Sequence, residues 1–225
     1  MPARLRRLRR FPLVSMVLAA CLLAVLALPA GAANGFSRDL YFAAGYERQV
    51  DNRTCIPAST AMMMNFIARR DLRLDQMAIL RYAQPRDALN NATQRGSDPL
   101  GWSRAATYYS RYTGKPTTYN WEAYGSESAA LRRAARQIAV TGKPVGLLVA
   151  HGTHAVVMTG FSATGNPASM RSWTLSSIWY SDPYGYAHRS VAAAYSPLNT
   201  YTQTDATSYY DAKWYGKYVV IIPQG

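Results

Sequence analysis

Residues 54–70 read TCIPASTAMMMNFIARR and carry a clear local pattern. Pro57 stands where the first turn of a helix tolerates a missing N–H, and apolar residues that include Phe66 and Ile67 recur at helical spacing. The pattern predicts a helix that begins at Cys55. The free N–H groups and the dipole at a helix start favour a thiolate over a thiol, which makes Cys55 a candidate nucleophile.

The first 33 residues have the three parts of a secretory signal peptide. Arginines crowd the start, an apolar run extends from Phe11 to Leu28, and small residues lead up to Ala33. We therefore expect a signal peptide over 1–33, a mature domain over 34–225 and a location outside the cell. The alternative is a membrane anchor, because the apolar run approaches the ~20 residues that a transmembrane helix needs.

Cleavage after Ala33 would leave about 192 residues, which fits one domain. The formal net charge would fall from +13 to +8, because five arginines leave with the leader. This moderate charge suits attraction to anionic surfaces such as cell-wall polymers. No Lys/Arg run of the nucleic-acid type remains, so we expect no nucleic-acid partner. We expect membrane contact only through an uncleaved leader, and a monomer.

The cysteine count restricts the chemistry further. Of the two cysteines, Cys21 lies in the leader, so the mature chain carries only Cys55. A single cysteine in a secreted protein forms no internal disulfide, which leaves intermolecular pairing, an inert buried thiol or a reactive thiol. The predicted place of Cys55 at a helix start favours the reactive thiol.

The chain offers only three histidines as a base: His151, His154 and His188. Two buried strands are predicted around the first two, and His154 opens the second of them. In extended chain, His151 would point to the opposite face because it lies an odd number of residues away. Only one of these two can serve a given site, and we expect it to be His154.

A third predicted strand, 173–181, ends directly before Asp182. The intervening segment, 162–172, is rich in Ser, Gly, Asn and Pro, as a connecting loop should be. If the strands on either side form an antiparallel hairpin, the end of one lies beside the start of the other. Asp182 would then accept the N–H of His154 and fix the tautomer that deprotonates Cys55.

The order of elements predicts the fold class. Helices are indicated over 72–83, 102–112 and 126–140, and the strands come mainly after them. Helices followed by an antiparallel sheet indicate an α+β fold. One cysteine and three histidines, with no closely spaced pair on a helix, do not meet the usual zinc spacings, so we expect no metal and no cofactor.

Taken together, these motifs resemble papain-like cysteine peptidases, in particular the branch similar to the bacteriocin-leader (double-glycine) peptidases. They are Gln49 six residues before Cys55, GKPV at 142–145, HAVVMTGF at 154–161 and SDP at 181–183. The resemblance implies a papain-like fold, in which a helical half carrying the nucleophile packs against an antiparallel sheet carrying the histidine and the aspartate. It also implies an oxyanion hole made by the Gln49 side chain and the Cys55 backbone N–H.

The function implied is hydrolysis of peptide bonds in a peptide or protein substrate, through an acyl-enzyme intermediate. One departure is Ile56, because the family usually has glycine after the nucleophile; a branched side chain there could narrow the cleft. Three alternatives use the same scaffold: a transglutaminase-like acyl transferase, a cell-wall peptide amidase and a non-catalytic secreted binding protein. The first two share the same thiolate chemistry, and Ile56 favours the third.

Overall fold

The computed structural model describes residues 35–88, 96–204 and 206–225. The predicted signal peptide, 1–33, lies outside the described residues, and so does Cys21. Within the described part, the α-helices are α1 Cys55–Ala68, α2 Gln76–Ala83, α3 Pro99–Tyr109, α4 Glu127–Thr141 and α5 Ser208–Trp214. The strands are β1 Phe36–Asp39, β2 Tyr119–Tyr124, β3 Val145–Val149, β4 His154–Ala163, β5 Leu175–Asp182, β6 Tyr186–Ala192 and β7 Tyr218–Pro223.

Side-chain caps set where several helices begin. The Asp75 carboxylate accepts the backbone N–H of Met77 at 2.8 Å, and this cap starts α2. Asp98 does the same for Gly101 at the start of α3. Such caps satisfy N–H groups that have no partner inside the helix. The capped Asp75 explains why α2 begins at Gln76 and not at residue 72, where the apolar periodicity placed it.

The described strands form one antiparallel sheet in the order β2-β7-β3-β4-β5-β6, and β1 also pairs with β4. The predicted hairpin is present, because β4 pairs with β5 in antiparallel register. β4 is the longest strand: its first half pairs with β3, and its second half pairs with β1 on the same side. His154 therefore lies at the start of a strand that has neighbours on both edges.

The core has two parts, one on each face of the sheet. Alternate residues of β3 and β4 point to opposite faces, as in any strand. Leu147, Val156 and Met158 pack into the cluster that contains α4, whereas Leu148, Ala155 and Val157 pack into the cluster that contains α1, α2 and α3. All six side chains are at most 2% exposed. The sheet thus supports the helix that carries Cys55 on one side and α4 on the other.

The expectation of an α+β fold with a helical half against an antiparallel sheet is confirmed, with two differences in detail. Strands β1, β2 and β6 were not predicted, and α4 covers the sheet face opposite to α1. Among the described residues, no helix combines the length and apolar character needed to cross a membrane.

Candidate active site

Cys55 is the first residue of α1, as the sequence predicts, and its side chain is partly exposed. The next residue, Ile56, is 3% exposed and packs into the core cluster beneath the helix. Its branched side chain therefore points into the interior and does not narrow the surface beside Cys55. The first turn of α1 leaves backbone N–H groups without partners inside the helix, which suits a nucleophile that develops negative charge.

A tight turn precedes His154. Ala150, His151 and Gly152 have φ values of 49°, 57° and 87°, in the left-handed region that non-glycine residues rarely adopt. The segment around residue 200 stabilises this turn, because the His151 N–H donates to Asn199 Oδ1 at 2.8 Å. The turn delivers His154 to the first position of β4.

His151 lies apart from the site, as expected, but for a different reason. Its Nδ1 lies 3.1 Å from the carbonyl oxygen of Thr200, so the ring is directed to the segment around residue 200. The prediction assumed an extended chain between His151 and His154. The observed separation comes from the left-handed turn instead.

His154 and Asp182 are hydrogen-bonded. His154 Nε2 lies 2.7 Å from Asp182 Oδ1, and the two side chains are 19% and 16% exposed. The same carboxylate oxygen accepts the backbone N–H of Tyr184 at 2.8 Å. The Tyr184 ring packs edge-on against the imidazole, with centroids 6.1 Å apart. Because Nε2 bonds to Asp182, Nδ1 is the ring nitrogen that remains for Cys55.

The electrostatics of the pair follow from these contacts. Burial works to lower the pKa of His154, but hydrogen bonds with Asp182 and Cys55 outweigh it and raise that pKa to about 9. Burial works to raise the pKa of Asp182, but the hydrogen bonds from His154 and from the Tyr184 backbone outweigh it and hold that pKa below its usual value. Both effects favour an ion pair, with a protonated imidazole between carboxylate and sulfur.

The structure thus brings Cys55, His154 and Asp182 together, since Cys55 at the start of the helix is close enough to His154 in the hairpin to help raise the imidazole pKa. A second contact supports this junction. Ser59, one helical turn after Cys55, is fully buried and donates its hydroxyl to the carbonyl of Ala155 at 3.2 Å. It ties α1 directly to the residue after His154.

Gln49 lies beside the turn that follows Asp182. Its backbone N–H donates to the carbonyl of Pro183 at 3.0 Å. Its side-chain Nε2 donates to the carbonyl of Asp51 at 2.8 Å, and its buried Oε1 has no hydrogen-bond partner among the described residues. An amide nitrogen carries two N–H groups. One is used by Asp51, which leaves one N–H of the amide.

Gln76 and Tyr46 hold this part of the site, and sequence reasoning missed both. The Gln76 side chain is 6% exposed; its Nε2 donates to the Arg48 carbonyl at 2.7 Å, and its Oε1 accepts the Val50 N–H at 3.1 Å. Gln76 is therefore hydrogen-bonded to the backbone on both sides of Gln49. Tyr46 donates its hydroxyl to the carbonyl of Asp182 at 2.9 Å. Neither contact follows a local sequence pattern that would have revealed it.

The comparison with known families agrees with this geometry. Residues 43–214 match the model of the Peptidase_C39 like family. The chain belongs to this family. The matched residues include Gln49, Cys55, His154 and Asp182. No curated protein matches the sequence.

The fold of this Peptidase_C39 like family member is also found among solved structures. The crystal structure of UfSP from C. elegans matches with a TM-score of 0.50 and 12% sequence identity. The match covers 89% of this chain and 36% of the UfSP chain, so this chain spans about a third of that protein. At this identity the likeness concerns the papain-like fold alone.

The described residues contain no group of three or more His, Cys, Asp and Glu side chains arranged to hold a metal ion. A second histidine–aspartate pair does exist: His188 Nε2 lies 2.8 Å from Asp39 Oδ2, and the His188 ring stacks on Tyr41 with centroids 4.2 Å apart. This pair links β6 to the last residue of β1.

Proposed function

We propose that the protein is a secreted cysteine peptidase that hydrolyses peptide bonds through Cys55, His154 and Asp182. One observation carries the proposal: His154 is hydrogen-bonded to Asp182 at 2.7 Å and lies close enough to the Cys55 side chain for Cys55 to help raise its pKa. A nucleophile, its base and a carboxylate that orients the base are the three parts that acyl transfer requires.

In the proposed reaction, the Cys55 sulfur attacks the carbonyl carbon of the scissile bond. The Cys55 backbone N–H and the free amide N–H of Gln49 stabilise the oxyanion that forms. His154 then gives its proton to the leaving amine as the C–N bond breaks, and a thioester to Cys55 remains. Next, His154 removes a proton from a water molecule that attacks the thioester, which releases the acid and restores the sulfur.

The electrostatics support the first of these steps. With its pKa raised to about 9, the imidazole of His154 is protonated near neutral pH. It is then both the counter-ion of a thiolate and the proton donor for the leaving amine. Asp182 has a lowered pKa and remains ionised over the same range, so it holds the ring in place throughout.

Cleavage of a denatured proteome by the purified mature protein tests the activity, with Cys55→Ala as control. We expect new peptide ends with the wild type and none with Cys55→Ala. Incorporation of an amine into glutamine would indicate a transferase instead, and release of cell-wall peptides an amidase. A wild type that produces no acyl product at all would refute the proposal and leave a binding protein.

Reactivity towards iodoacetamide tests the ion pair separately. An ordinary thiol, with a pKa of about 8.5, reacts very little with iodoacetamide at pH 5 to 6. We expect Cys55 to be alkylated appreciably in that range, and His154→Ala to move the profile towards that of an ordinary thiol. His151→Ala is the matched control and should leave the profile in place. A wild-type profile that rises only near pH 8 to 9 would contradict the ion pair.

Export remains part of the proposal through the leader, 1–33. N-terminal sequencing of secreted material should give a start near Asn34. An intact leader retained in the membrane would show that the apolar run is an anchor. We propose a monomer acting on peptide or protein substrates, with the basic mature chain drawn to anionic cell-wall polymers.

A further inference from the structure

Arg48 lies in a rigid loop next to the candidate oxyanion residue. The Gln76 side chain donates to the Arg48 carbonyl at 2.7 Å and accepts the N–H of Val50 at 3.1 Å. Between them, the N–H of Gln49 donates to Pro183 at 3.0 Å. The backbone that carries the Arg48 side chain is therefore fixed at three successive residues, so a ligand bound by this arginine would meet little loop-ordering cost.

The guanidinium of Arg48 lies at the turn that follows Asp182. Its Nη2 is 3.8 Å from the position that a Cβ would take at Gly185. It also acts electrostatically on the phenol of Tyr46, whose hydroxyl bonds to the Asp182 carbonyl. The positive charge of Arg48 thus lies beside Gly185, three residues after Asp182, whose carboxylate is hydrogen-bonded to His154.

Among residues 35–88, 96–204 and 206–225, no side chain pairs with this charge. In the described residues, the Arg48 guanidinium makes no hydrogen bond or ion pair, although its neighbours are engaged. Asp51 is paired with Arg53 at 2.7 Å, and Glu47 accepts a hydrogen bond from Asn65. The arginine therefore does not serve to neutralise an acidic residue nearby.

The surface around Arg48 would suit an extended peptide. Val50 is 67% exposed and directly follows Gln49, and Tyr184 is 69% exposed and lies two residues after Asp182. A second cation, Arg189, stacks on the Tyr186 ring at 4.6 Å and acts electrostatically on Asp182. Exposed apolar and aromatic groups beside arginines are typical of surfaces that bind polypeptides.

We propose that Arg48 binds a carboxylate of the substrate, so that the peptidase prefers peptides with an acidic side chain or a free C-terminus close to the scissile bond. The chemistry fits, because the planar guanidinium forms two parallel hydrogen bonds with a carboxylate. This inference rests on the proposed function and adds the class of substrate to it.

Matched peptides test the preference. Sites cleaved in the denatured proteome are synthesised in pairs that carry Glu or Gln at each position near the scissile bond. A second series ends in a free carboxylate or an amide, which separates the two sources of the charge. We expect wild-type kcat/KM to favour the charged peptide by about tenfold, as one well-formed charged hydrogen bond would give. The preference should weaken in high salt.

Two arginine variants decide the assignment. Arg48→Gln should bring the ratio of charged to neutral peptide close to one. Arg70→Gln removes the same charge beyond the far end of the 14-residue α1, about 20 Å from Cys55, and should keep the wild-type ratio. A wild-type ratio near one, or a ratio that survives in Arg48→Gln, would overturn the proposal.

A binding measurement separates this proposal from the proposed function. On Cys55→Ala protein, fluorescence anisotropy compares two labelled octapeptide pools that differ only in Glu against Gln. Tighter binding of the Glu pool, lost in the Arg48→Gln double variant, supports the carboxylate site even when the wild type cleaves nothing. Equal binding of both pools, or no binding of either, refutes it whether or not the wild type is active.

Discussion

Replacement of Gln76 by alanine tests whether the site depends on the loop that carries Gln49. The substitution removes the 2.7 Å bond to the Arg48 carbonyl and the 3.1 Å bond from the Val50 N–H. Val50 keeps a second acceptor, because its N–H also lies 3.1 Å from Thr54 Oγ1. The loop is therefore loosened at Arg48 and remains attached at Thr54.

The expected loss of stability is moderate. A hydrogen bond contributes about 0.5–1.5 kcal/mol net to the free energy of unfolding. Two bonds are removed, but the Val50 N–H keeps Thr54 as an acceptor, so the expected loss is about 1–2 kcal/mol. A domain with about 5–15 kcal/mol of folding free energy tolerates this. The variant should fold, with a slightly lower midpoint in chemical denaturation.

The expected loss of turnover is larger than the loss of stability would suggest. An oxyanion donor contributes about 2.7–4 kcal/mol to the transition state, and a displacement of about 1 Å can cost ~10²-fold in rate. We expect kcat of Gln76→Ala to fall about 10- to 100-fold, with KM changed only a few-fold. Such a split indicates a group needed in the transition state more than in the bound substrate.

Gln137→Ala is the matched control. Gln137 is also 6% exposed, and its Nε2 also donates to a backbone carbonyl, that of Pro223, at 2.7 Å. It lies on α4, away from the loop around Gln49. Both variants should lose similar stability, but only Gln76→Ala should lose kcat. Equal effects on kcat, or a Gln76→Ala enzyme within twofold of wild type, would refute a positioning role.

Two further predictions concern the catalytic residues themselves. Gln49→Ala should lower kcat by about 10²–10³ while Cys55 is still alkylated at the wild-type rate; a loss of less than a few-fold would make Gln49 a loop residue only. The pKa of His154 is raised from 6.5 to about 9, so kcat/KM should fall as the pH rises through about 9. The stabilisation of the fold by the ion pair should be complete below pH 6.5 and should be lost as the pH rises from 6.5 through about 9. His151→Ala should leave this alkaline limb in place, and a rate that stays constant to pH 10 would contradict the assignment.

The sequence was most informative where the chemistry depends on local pattern. The helical periodicity after Cys55 is a property of one segment, and so is the alternation of strands and loop between His154 and Asp182. One assumption, an antiparallel hairpin, then sufficed to bring His154 and Asp182 together. The register confirms it, since β4 and β5 pair from Val157 opposite Ser181.

The missed features are tertiary. β6 has an almost entirely exposed sequence with no apolar alternation, and it forms because β5 offers an edge to it. The Gln76 side chain forms hydrogen bonds with Val50 and Arg48, which are 26 and 28 positions away in the sequence. From the sequence, Gln76 looks like any polar residue at a helix start. The left-handed turn at Ala150 and His151 exists because the chain near Asn199 holds it, and no local rule predicts strain of this kind.

Three hydrogen bonds that all end on backbone carbonyls hold the site together, and this determines how it can be tested. The Gln49 N–H bonds to the Pro183 carbonyl, the Tyr46 hydroxyl bonds to the Asp182 carbonyl, and the Ser59 hydroxyl bonds to the Ala155 carbonyl. None of these contacts uses the sulfur of Cys55 or the imidazole of His154. Because the three chain segments are joined independently of the reacting side chains, Cys55→Ala should retain the shape of the site, and binding to that variant reports on the substrate surface itself.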